Sequence, residues 1–452
     1  MCACVFPMTG DGDRVGEPPA PGSPGRSPPI LVHNYNVEAS LTRKLPERVV
    51  FWDETLRDGE QTPGVYYTLE EKVRLAKMLD EIGVDILNCG IPAISPGEVA
   101  AIKAIAKEGL RASVLGACRT VQSDIDACLK ADVDEVSPFI AISDVHLKFK
   151  LKKTREEAIE MAVKSVEYAK AHGLKTTIVT EDTVRADLDV VATLYNRCID
   201  AGADRALFCD TVGVMTPAAT RWWFSEIKKR VSNKAEFGFH NHNDYGLGTA
   251  NALAAIEEGI PVINCTINGI GERAGNVAFE QVVMALRDLY KVKTNIKVEK
   301  LMALSRAVEE ATGIPVGITQ PVVGYNAFTH ESGIHTDGVI KNSATYEPIQ
   351  AEDLGRERRF VFGKHTGTTA VADRLDKNGL GSVPKEQVME IANRIKAHTE
   401  RQSKGSVKAY IDTVREWDVR HNGVDNPTFW RIVRDVTGKV PPQGVAERKF
   451  RW

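Results

Sequence analysis

Short apolar runs alternate with longer amphipathic stretches from Arg48 onward, and this alternation repeats eight times. The near-continuous apolar runs predict buried strands at residues 49–54, 84–90, 112–118, 133–140, 174–180, 204–210, 235–240 and 262–268. The stretches between them carry apolar residues at helical spacing, as at 68–83, 154–173 and 187–202. Several of these stretches end in Gly, which is a helix C-cap signal.

Near-continuous apolar strands separated by helices predict a parallel sheet whose outer face is covered. Eight such units over roughly 240 residues match the size of a (β/α)8 TIM barrel. A doubly wound open sheet is the rival, but it usually has fewer strands, and no G-x-G-x-x-G follows the first strand here. We therefore predict an α/β protein with a TIM barrel followed by a smaller, mostly helical C-terminal region.

The chain divides into four predicted segments. Residues 1–46 are rich in Pro, Gly and polar groups, which predicts a disordered N-terminal arm. Residues 47–290 form the predicted catalytic barrel, and residues 291–376 a linker subdomain that completes the active site. Residues 377–452 are predicted to be a helical subdomain with an irregular tail. The last 35 residues are aromatic, and their pattern gives them no placement.

The composition is that of an ordinary globular chain. Of its 452 residues 43% are hydrophobic, and the formal net charge of −3 gives no reason to expect a nucleic-acid or membrane partner. No apolar run approaches the ~18 residues of a membrane span. Some of the eight cysteines lie in or beside predicted strands, where free Cys acts as a small hydrophobe; these are Cys89, Cys118, Cys209 and Cys265. We therefore expect a protein of the reducing cytoplasm.

Polar residues suited to chemistry follow the predicted strands repeatedly. In a TIM barrel the active site is built at the C-terminal ends of the strands, so these residues are expected to converge. They follow strands 1, 4, 5, 6, 7 and 8, at Asp53–Glu60, His146, Glu181 and Asp182, Asp210 and Thr211, His240–Asp244, and Gly269–Asn276.

The motif HNHND at residues 240–244 is the sharpest candidate for a metal site. Side chains two apart in an extended segment point to the same side, so His240 and His242 can face one ion. Neutral His plus a carboxylate is a common divalent-metal set with open positions for substrate. Only strand 8 separates strand 7 from strand 1 in a closed barrel, so Asp58 and Asn276 can complete the site. The alternative is an ordinary polar loop that holds two histidines.

A second polar cluster, DETLRDGEQTPG at residues 53–64, follows the first strand. Arg57 stands beside Asp58 and can hold a carboxylate or stabilise a developing oxyanion. The alternative is a salt-bridged loop without a catalytic role.

Two further motifs are each open to two interpretations. GIGERAGN at residues 269–276 places Glu272 between glycines, which fits a catalytic loop or a structural turn. His335, in HESGIH at residues 330–335, can act as an acid or base, or be a satisfied surface histidine.

The strings ETLRDGEQTPG, HNHNDYGLGTAN, INGIGERAGN and AFTHESGIHTDG together resemble the DRE-TIM metallolyase superfamily, and within it the Claisen-condensing branch. That branch contains 2-isopropylmalate, homocitrate, citramalate, Re-citrate and phosphonomethylmalate or phosphinomethylmalate synthases. The likeness covers residues 48–376 and continues more weakly to about Trp417. It implies an acyltransferase that adds the acetyl group of acetyl-CoA to the ketone carbon of a 2-oxo acid.

The resemblance implies a metal centre. Asp58, His240 and His242 would bind a divalent cation (Mg²⁺, Mn²⁺ or Co²⁺), with Asn276 as a further ligand. Arg57 would contact the 2-oxo acid and its growing alkoxide.

The resemblance also implies the surroundings of that centre. His146, Glu181 and Thr211 match substrate-pocket positions, and Glu272 and His335 match a pair implicated in acid–base chemistry on acetyl-CoA. The basic run at residues 146–157 would contact CoA phosphates or form a solvated helix face. A homodimer is the implied assembly.

Departures from the family pattern bear on the substrate. Isopropylmalate and citramalate synthases typically carry Glu after strand 2, where this chain has Asn88, and homocitrate synthases usually have R-E-G-E-Q, where this chain has Arg57–Asp58. The tail also looks too short for the leucine-binding regulatory domain of long isopropylmalate synthases. These points favour an oxo acid with a second acidic group, namely oxaloacetate or 3-phosphono- or phosphinopyruvate. A 2-isopropylmalate or homocitrate synthase is the alternative.

Two other functions stay open. A hydroxyacyl-CoA lyase of the same superfamily is disfavoured, because GERAGN lacks the Cys that such lyases tend to show in this loop. A non-catalytic metal- or CoA-binding regulator is disfavoured because it would need no acid–base pair such as Glu272 and His335.

Overall fold

The computed structural model describes residues 32, 34–40, 43, 45–421, 423–424 and 426–440. Eight parallel strands close into a barrel in chain order, and the last strand pairs back onto the first. The strands are β1 (Val50–Asp53), β2 (Ile86–Asn88), β3 (Ser113–Arg119), β4 (Glu135–Ala141), β5 (Lys175–Glu181), β6 (Arg205–Asp210), β7 (Glu236–Asn241) and β8 (Val262–Cys265). The predicted (β/α)8 TIM barrel is confirmed.

Helices alternate with the strands and continue beyond the barrel. They are α1 (Tyr35–Ser40), α2 (Leu69–Ile82), α3 (Pro96–Ala106), α4 (Gln122–Lys130), α5 (Asp144–His146), α6 (Arg155–Ala171), α7 (Leu188–Asp200), α8 (Pro217–Ile227), α9 (Gly248–Glu257), α10 (Phe279–Asp288), α11 (Leu301–Thr312), α12 (Gly333–Lys341), α13 (Thr368–Lys377), α14 (Lys385–Arg401), α15 (Gly405–His421) and α16 (Asn426–Thr437). A π-helical turn, Leu147–Leu151, follows α5 directly.

Local sequence signals fix the helix ends. Thr68 caps α2 by accepting a hydrogen bond from the backbone N–H of Glu71, whose carboxylate accepts one in return from the N–H of Thr68. Gly83 ends the same helix with φ 112°, a conformation that costs glycine little. The predicted stretch at residues 68–83 is therefore a helix whose buried face includes Leu75 and Leu79.

Two apolar layers hold the barrel together. Alternate strand residues point inward, so Trp52, Leu115 and Leu207 fill the barrel interior with Ile86 and Val262. Their neighbours point outward to the helices, as Phe51 does, packing edge-on against Phe279 at 5.3 Å between ring centroids. The filled interior leaves the strand ends as the place for a site.

Residues after the barrel pack partly onto it. Leu301 and Leu304 of α11 are buried in the same core as the barrel helices. A two-stranded parallel sheet, β9 (Thr329–His330) with β10 (Arg359–Phe360), follows. Val371, Val388 and Ala392 form a separate small core on α13 and α14. The domain boundaries given above stay a prediction.

Parts of both chain ends form helices that the sequence pattern did not predict. Most of the arm at residues 1–46 lies outside the described residues, but residues 35–40 form α1, and the Asn34 amide donates to the Leu289 carbonyl at 2.9 Å. In the tail, which the pattern left unplaced, residues 426–437 form α16. Six cysteines of the described residues are free and buried, including the four named above. Among the described helices, none combines the length and apolar character needed to cross a membrane.

Candidate active site

Three side chains from opposite parts of the sequence meet at the C-terminal end of the barrel. His240 is the last but one residue of β7, His242 directly follows the strand, and Asp58 lies in the turn after β1. The Asp58 Oδ2 atom is 3.5 Å from His240 Nε2 and 3.7 Å from His242 Nε2, and the two Nε2 atoms are 3.2 Å apart. All three residues are buried. The structure therefore brings together the metal-binding trio predicted from the sequence.

The protonation states of the trio suit metal binding. Burial and the neighbouring His242 lower the pKa of His240 to about 3, and burial lowers the pKa of His242 as well. Burial alone would raise the pKa of Asp58, but Arg57 and the two histidines outweigh it and leave that pKa below its ordinary value. Neutral imidazoles beside an ionised carboxylate are the forms that coordinate a cation.

Two buried oxygens without hydrogen-bond partners complete the set of possible metal ligands. Asp58 Oδ2 and Asn276 Oδ1 are buried and have no hydrogen-bond partner among the described residues. Asn276 lies close by, because residue 276 forms an antiparallel bridge with residue 242. Buried acceptors without donors cost free energy, and a divalent cation would satisfy both oxygens. These residues form a possible metal site, and the donor types fit the predicted divalent ion.

Arg57 is held at the edge of the trio by a buried carboxylate. Its Nε and Nη2 atoms lie 2.7 and 2.6 Å from Glu54 Oε2, and its Nη1 atom lies 3.6 Å from Asp58 Oδ2. Glu54 also accepts from the Asn88 amide at 2.9 Å and from the Asn264 amide at 2.8 Å. Burial raises the pKa of Glu54 against the opposing effect of Arg57. This network fixes the guanidinium where it can meet a substrate anion.

These groups line one cavity of about 280 Å³ at the mouth of the barrel. Its lining includes most of the predicted site, namely Arg57, Asp58, Glu181, Thr211, His240, His242 and Glu272. Asn88, Ile91, Phe139, Lys150 and Arg273 contribute as well. A cavity of this size suits a small organic acid beside the possible metal site.

Two of the predicted pocket residues have structural partners. The Thr211 hydroxyl accepts a hydrogen bond from the Asp182 backbone at 2.8 Å. Glu181 faces Lys150, whose Nζ lies 2.6 Å from both carboxylate oxygens. His146 is not among the cavity-lining residues, and it lies 3.8 Å from Glu181 and 3.9 Å from Asp182. The substrate role of His146 stays a prediction.

The loop after β8 places Glu272 at the cavity. A Cβ at Gly271, where φ is +151°, would meet Asn276 Nδ2 at 2.1 Å, so only glycine lets the loop pass this amide. The next residue, Arg273, donates to both carboxylate oxygens of Asp244 at 2.8 and 2.9 Å. The structure therefore shows a tight turn that brings Glu272 to the cavity, and the acid–base role of Glu272 stays a prediction.

His335 lies apart from the cavity. It is exposed on α12, and its ring stacks on Tyr346 with 4.1 Å between centroids. The cavity-lining residues do not include it. Its acid–base role stays a prediction.

Three residues of the site had no specific role predicted from the sequence, namely Glu54, Asn264 and Lys150. Glu54 stood inside a named motif, but nothing in the pattern showed that it would orient Arg57. Lys150 belonged to a basic run for which contact with CoA phosphates and a solvated helix face were both predicted, whereas the structure pairs it with Glu181 at the cavity. A signal existed for Lys150, since its segment follows β4 at the catalytic end.

Glu280 supports the loop after β8 and should make stability depend on pH. Its carboxylate accepts from the Asn268 backbone at 3.1 Å and from Gln320 at 3.2 Å. Burial raises its pKa from 4.5 to about 7. The folded state therefore binds more protons between these values, so the stabilisation is full below pH 4.5 and lost as the pH rises to 7.

We expect Glu280→Gln to change this profile. Unfolding by denaturant at pH 5 to 8 should show the wild type losing stability relative to the variant, on the order of 3 kcal/mol in total. Glu299→Gln, at an exposed position, serves as the control and should run parallel to the wild type. Parallel curves for Glu280→Gln would contradict the assignment.

Two family models and several solved structures are similar to this chain. The model of the HMGL-like family matches residues 48–308, and the homocitrate synthase post-HMGL domain-like model matches residues 322–403. A hydroxymethylglutaryl-CoA lyase structure from Pseudomonas aeruginosa covers 60% of this chain and 96% of its own, with a TM-score of 0.55 and 24% identity. At that identity the likeness supports the fold alone.

Curated relatives are closer in sequence. A probable 2-isopropylmalate synthase of Methanopyrus kandleri is 47% identical over 402 residues, which are 89% of this chain and 76% of that protein. An (R)-citramalate synthase of Methanocaldococcus jannaschii is 44% identical, covering 87% of this chain and 75% of that protein. A homocitrate synthase of Methanothermobacter thermautotrophicus is 41% identical, covering 91% and 99%. The chain belongs to the HMGL-like family, in the DRE-TIM Claisen-condensing branch with the 2-isopropylmalate, citramalate and homocitrate synthases.

Proposed function

We propose that this chain is an acyltransferase that condenses acetyl-CoA with a 2-oxo acid and then hydrolyses the thioester. The products are a 2-hydroxy-2-substituted succinate and free CoA. The observation that carries the proposal is the meeting of Asp58, His240 and His242 with Arg57 at one small cavity. Relatives named as three synthases of this type support it.

Different residues of the chain bind the cation and the oxo acid. A divalent cation held by Asp58, His240, His242 and Asn276 would supply Lewis-acid polarisation of the ketone. Arg57 binds the oxo acid and stabilises the negative charge that develops on the ketone oxygen.

Acid–base chemistry completes the reaction. Glu272 takes a proton from the acetyl methyl group, whose carbon then forms a bond to the ketone carbon. The alkoxide takes up a proton, and water cleaves the thioester C–S bond to leave a carboxylate and a thiol. His335 lies outside the cavity, so its proposed part requires that a second copy or a movement of α12 bring it there.

The proposed substrate is an oxo acid with a second acidic group, such as oxaloacetate or 3-phosphono- or phosphinopyruvate. Asn88 stands where isopropylmalate and citramalate synthases typically carry Glu. Its amide donates to Glu54, so this position adds no negative charge to the cavity. Lys150 and Arg57 both line the cavity, and although they pair with Glu181 and Glu54, each keeps further N–H donors that can meet one anionic end of a substrate. The names of the relatives favour the alternative of a 2-isopropylmalate or homocitrate synthase.

Thiol release from acetyl-CoA with a panel of oxo acids tests the proposal. The panel holds oxaloacetate, phosphonopyruvate, 2-oxoglutarate, pyruvate and 3-methyl-2-oxobutanoate, each with Mg²⁺ or Mn²⁺ and with chelator. Metal-dependent release is expected, fastest with oxaloacetate or phosphonopyruvate. Faster turnover of 3-methyl-2-oxobutanoate would overturn the substrate preference, and no release with any acid would overturn the reaction.

Lys150→Met tests the second acidic group. We expect kcat/KM for the preferred diacid to fall at least about tenfold, because one charge-assisted hydrogen bond is lost. Turnover of pyruvate should change much less. Lys148→Met is the matched control, since Lys148 lies over Phe149 at 5.2 Å and is not among the cavity-lining residues. An equal loss with both oxo acids would contradict the role.

We propose a homodimer as the assembly. Size-exclusion chromatography with light scattering should give a mass near twice the 49.6 kDa of one chain. Monomer alone at micromolar concentration would contradict this.

A further inference from the structure

A wide groove outside the barrel carries a concentration of positive charge. It lies among α11, α12, β10 and α13 and has a volume of about 1580 Å³. Its lining holds seven basic and three acidic side chains, whereas the whole chain has a formal charge of −3. None of its lining residues lines the barrel cavity. The groove is therefore a separate feature.

Part of this charge is neutralised within the groove. Arg358 pairs with Glu347 and Glu352, and Lys377 lies 3.0 Å from Asp373. Lys341, on α12, lies 2.6 Å from Asp337. These ion pairs neutralise both lysines and one arginine of the lining.

Four arginines of the same lining have no ion pair with a carboxylate in the described part of the chain. They are Arg306, Arg356, Arg359 and Arg374. Instead, Arg359 lies over the Tyr325 ring at 4.3 Å and Arg374 over the Phe362 ring at 5.4 Å. Stacking on a ring holds a guanidinium in place without using its N–H groups. Arg374 donates through Nη2 to the Phe360 carbonyl at 3.3 Å and keeps its other N–H groups for a ligand.

The arginines also repel one another. Arg356 is fixed by carbonyls, donating to Gly324 at 2.7 Å and Tyr325 at 3.1 Å. Burial and the neighbouring guanidiniums of Arg306 and Arg359 lower the pKa of Arg356. Like charges held together cost free energy in the folded protein, and an anion bound among them would offset that cost.

We propose that this groove binds a small organic diphosphate through Arg306, Arg356, Arg359 and Arg374. Guanidinium groups match phosphate oxygens with paired hydrogen bonds, and adjacent phosphates supply on the order of three negative charges near neutral pH. The diphosphate of CoA and that of a free nucleotide share this chemistry. The site goes beyond the proposed reaction, which the barrel cavity would carry out.

Titration calorimetry of the full-length protein tests the site, without metal or oxo acid. The ligands are ADP, CoA, inorganic diphosphate and inorganic phosphate at fixed ionic strength. We expect the three diphosphates to bind at least about tenfold more tightly than phosphate, and more weakly as salt is raised. CoA is also a proposed product at the barrel cavity, so CoA is identified as the source only if it binds more tightly than ADP and inorganic diphosphate and the Arg359→Ala, Arg374→Ala double variant loses that difference. Equal binding of the three would identify a diphosphate in general.

A pair of double variants makes the test specific. Arg359→Ala with Arg374→Ala should weaken ADP binding at least about tenfold. Arg394→Ala with Arg431→Ala removes the same charge from exposed helix positions outside the groove and should leave binding within about twofold. Equal effects of both double variants, or no saturable binding of any diphosphate to the wild type, would overturn the proposal. Thiol release is measured separately, so failure of the groove and failure of the proposed reaction are distinguishable.

Discussion

Asp58→Ala is expected to lower metal-dependent CoA release at least about a thousand-fold, and His242→Ala should do the same. Each substitution removes one of three buried groups whose ligand atoms lie within 4.8 Å of one another. A cation bound by fewer groups would be held more weakly and would no longer be fixed against the oxo acid. Release of thiol is followed with excess acetyl-CoA and saturating Mn²⁺.

Metal binding separates a lost site from a misfolded chain. Calorimetry with Mn²⁺ should show binding to the wild type that both variants lose. Asp200→Ala and His172→Ala remove the same residue types from exposed helix ends and should leave metal binding and activity close to wild type. Near-normal activity in Asp58→Ala or His242→Ala would contradict the site assignment.

Arg57→Lys is expected to lower kcat/KM about 100- to 1000-fold, although the charge is kept. The guanidinium contacts Glu54 through two nitrogens and still directs a third toward Asp58. A lysine ammonium is a single point charge and cannot span both sides of this arrangement. The loss should fall mainly on kcat, because the alkoxide charge develops only as the new bond forms.

Arg111→Lys is the matched control for this substitution. Arg111 lies before β3, near the opposite end of the barrel, and donates to the Val84 carbonyl at 2.6 Å. Its replacement should leave kcat/KM within about twofold. A similar small effect of Arg57→Lys would remove Arg57 from the proposed chemistry.

The barrel and the meeting of Asp58, His240 and His242 were predictable from the sequence for one physical reason. Strand periodicity indicates which residues end each strand, and closure of the barrel brings those ends together. His240 and His242 follow from the alternation of β7, and Asp58 from its place after β1. The distances of 3.2 to 3.7 Å among their ligand atoms confirm that inference from topology.

Side chains on loops were not predictable in the same way. Their positions depend on tertiary contacts that no periodicity records, such as the Asn88 and Asn264 amides that hold Glu54. Lys150 illustrates this, because a basic run gives the charge of a segment but not the carboxylate that its side chain meets.

The tail carries a helical periodicity among its aromatic and polar residues. Phe429, Ile432 and Val436 recur at helical spacing in α16, and Gly438 follows its end.

Transfer of a ¹³C-labelled acetyl methyl group tests the central claim most directly. Wild-type protein is incubated with [2-¹³C]acetyl-CoA, oxaloacetate or phosphonopyruvate, and diamagnetic Mg²⁺, and the product carbon is observed by NMR. The proposed reaction predicts that the label becomes a methylene attached to a tertiary carbinol carbon, and that chelator prevents this. Label appearing only as free acetate, or a methylene formed equally well with chelator present, would contradict the proposed metal-dependent condensation.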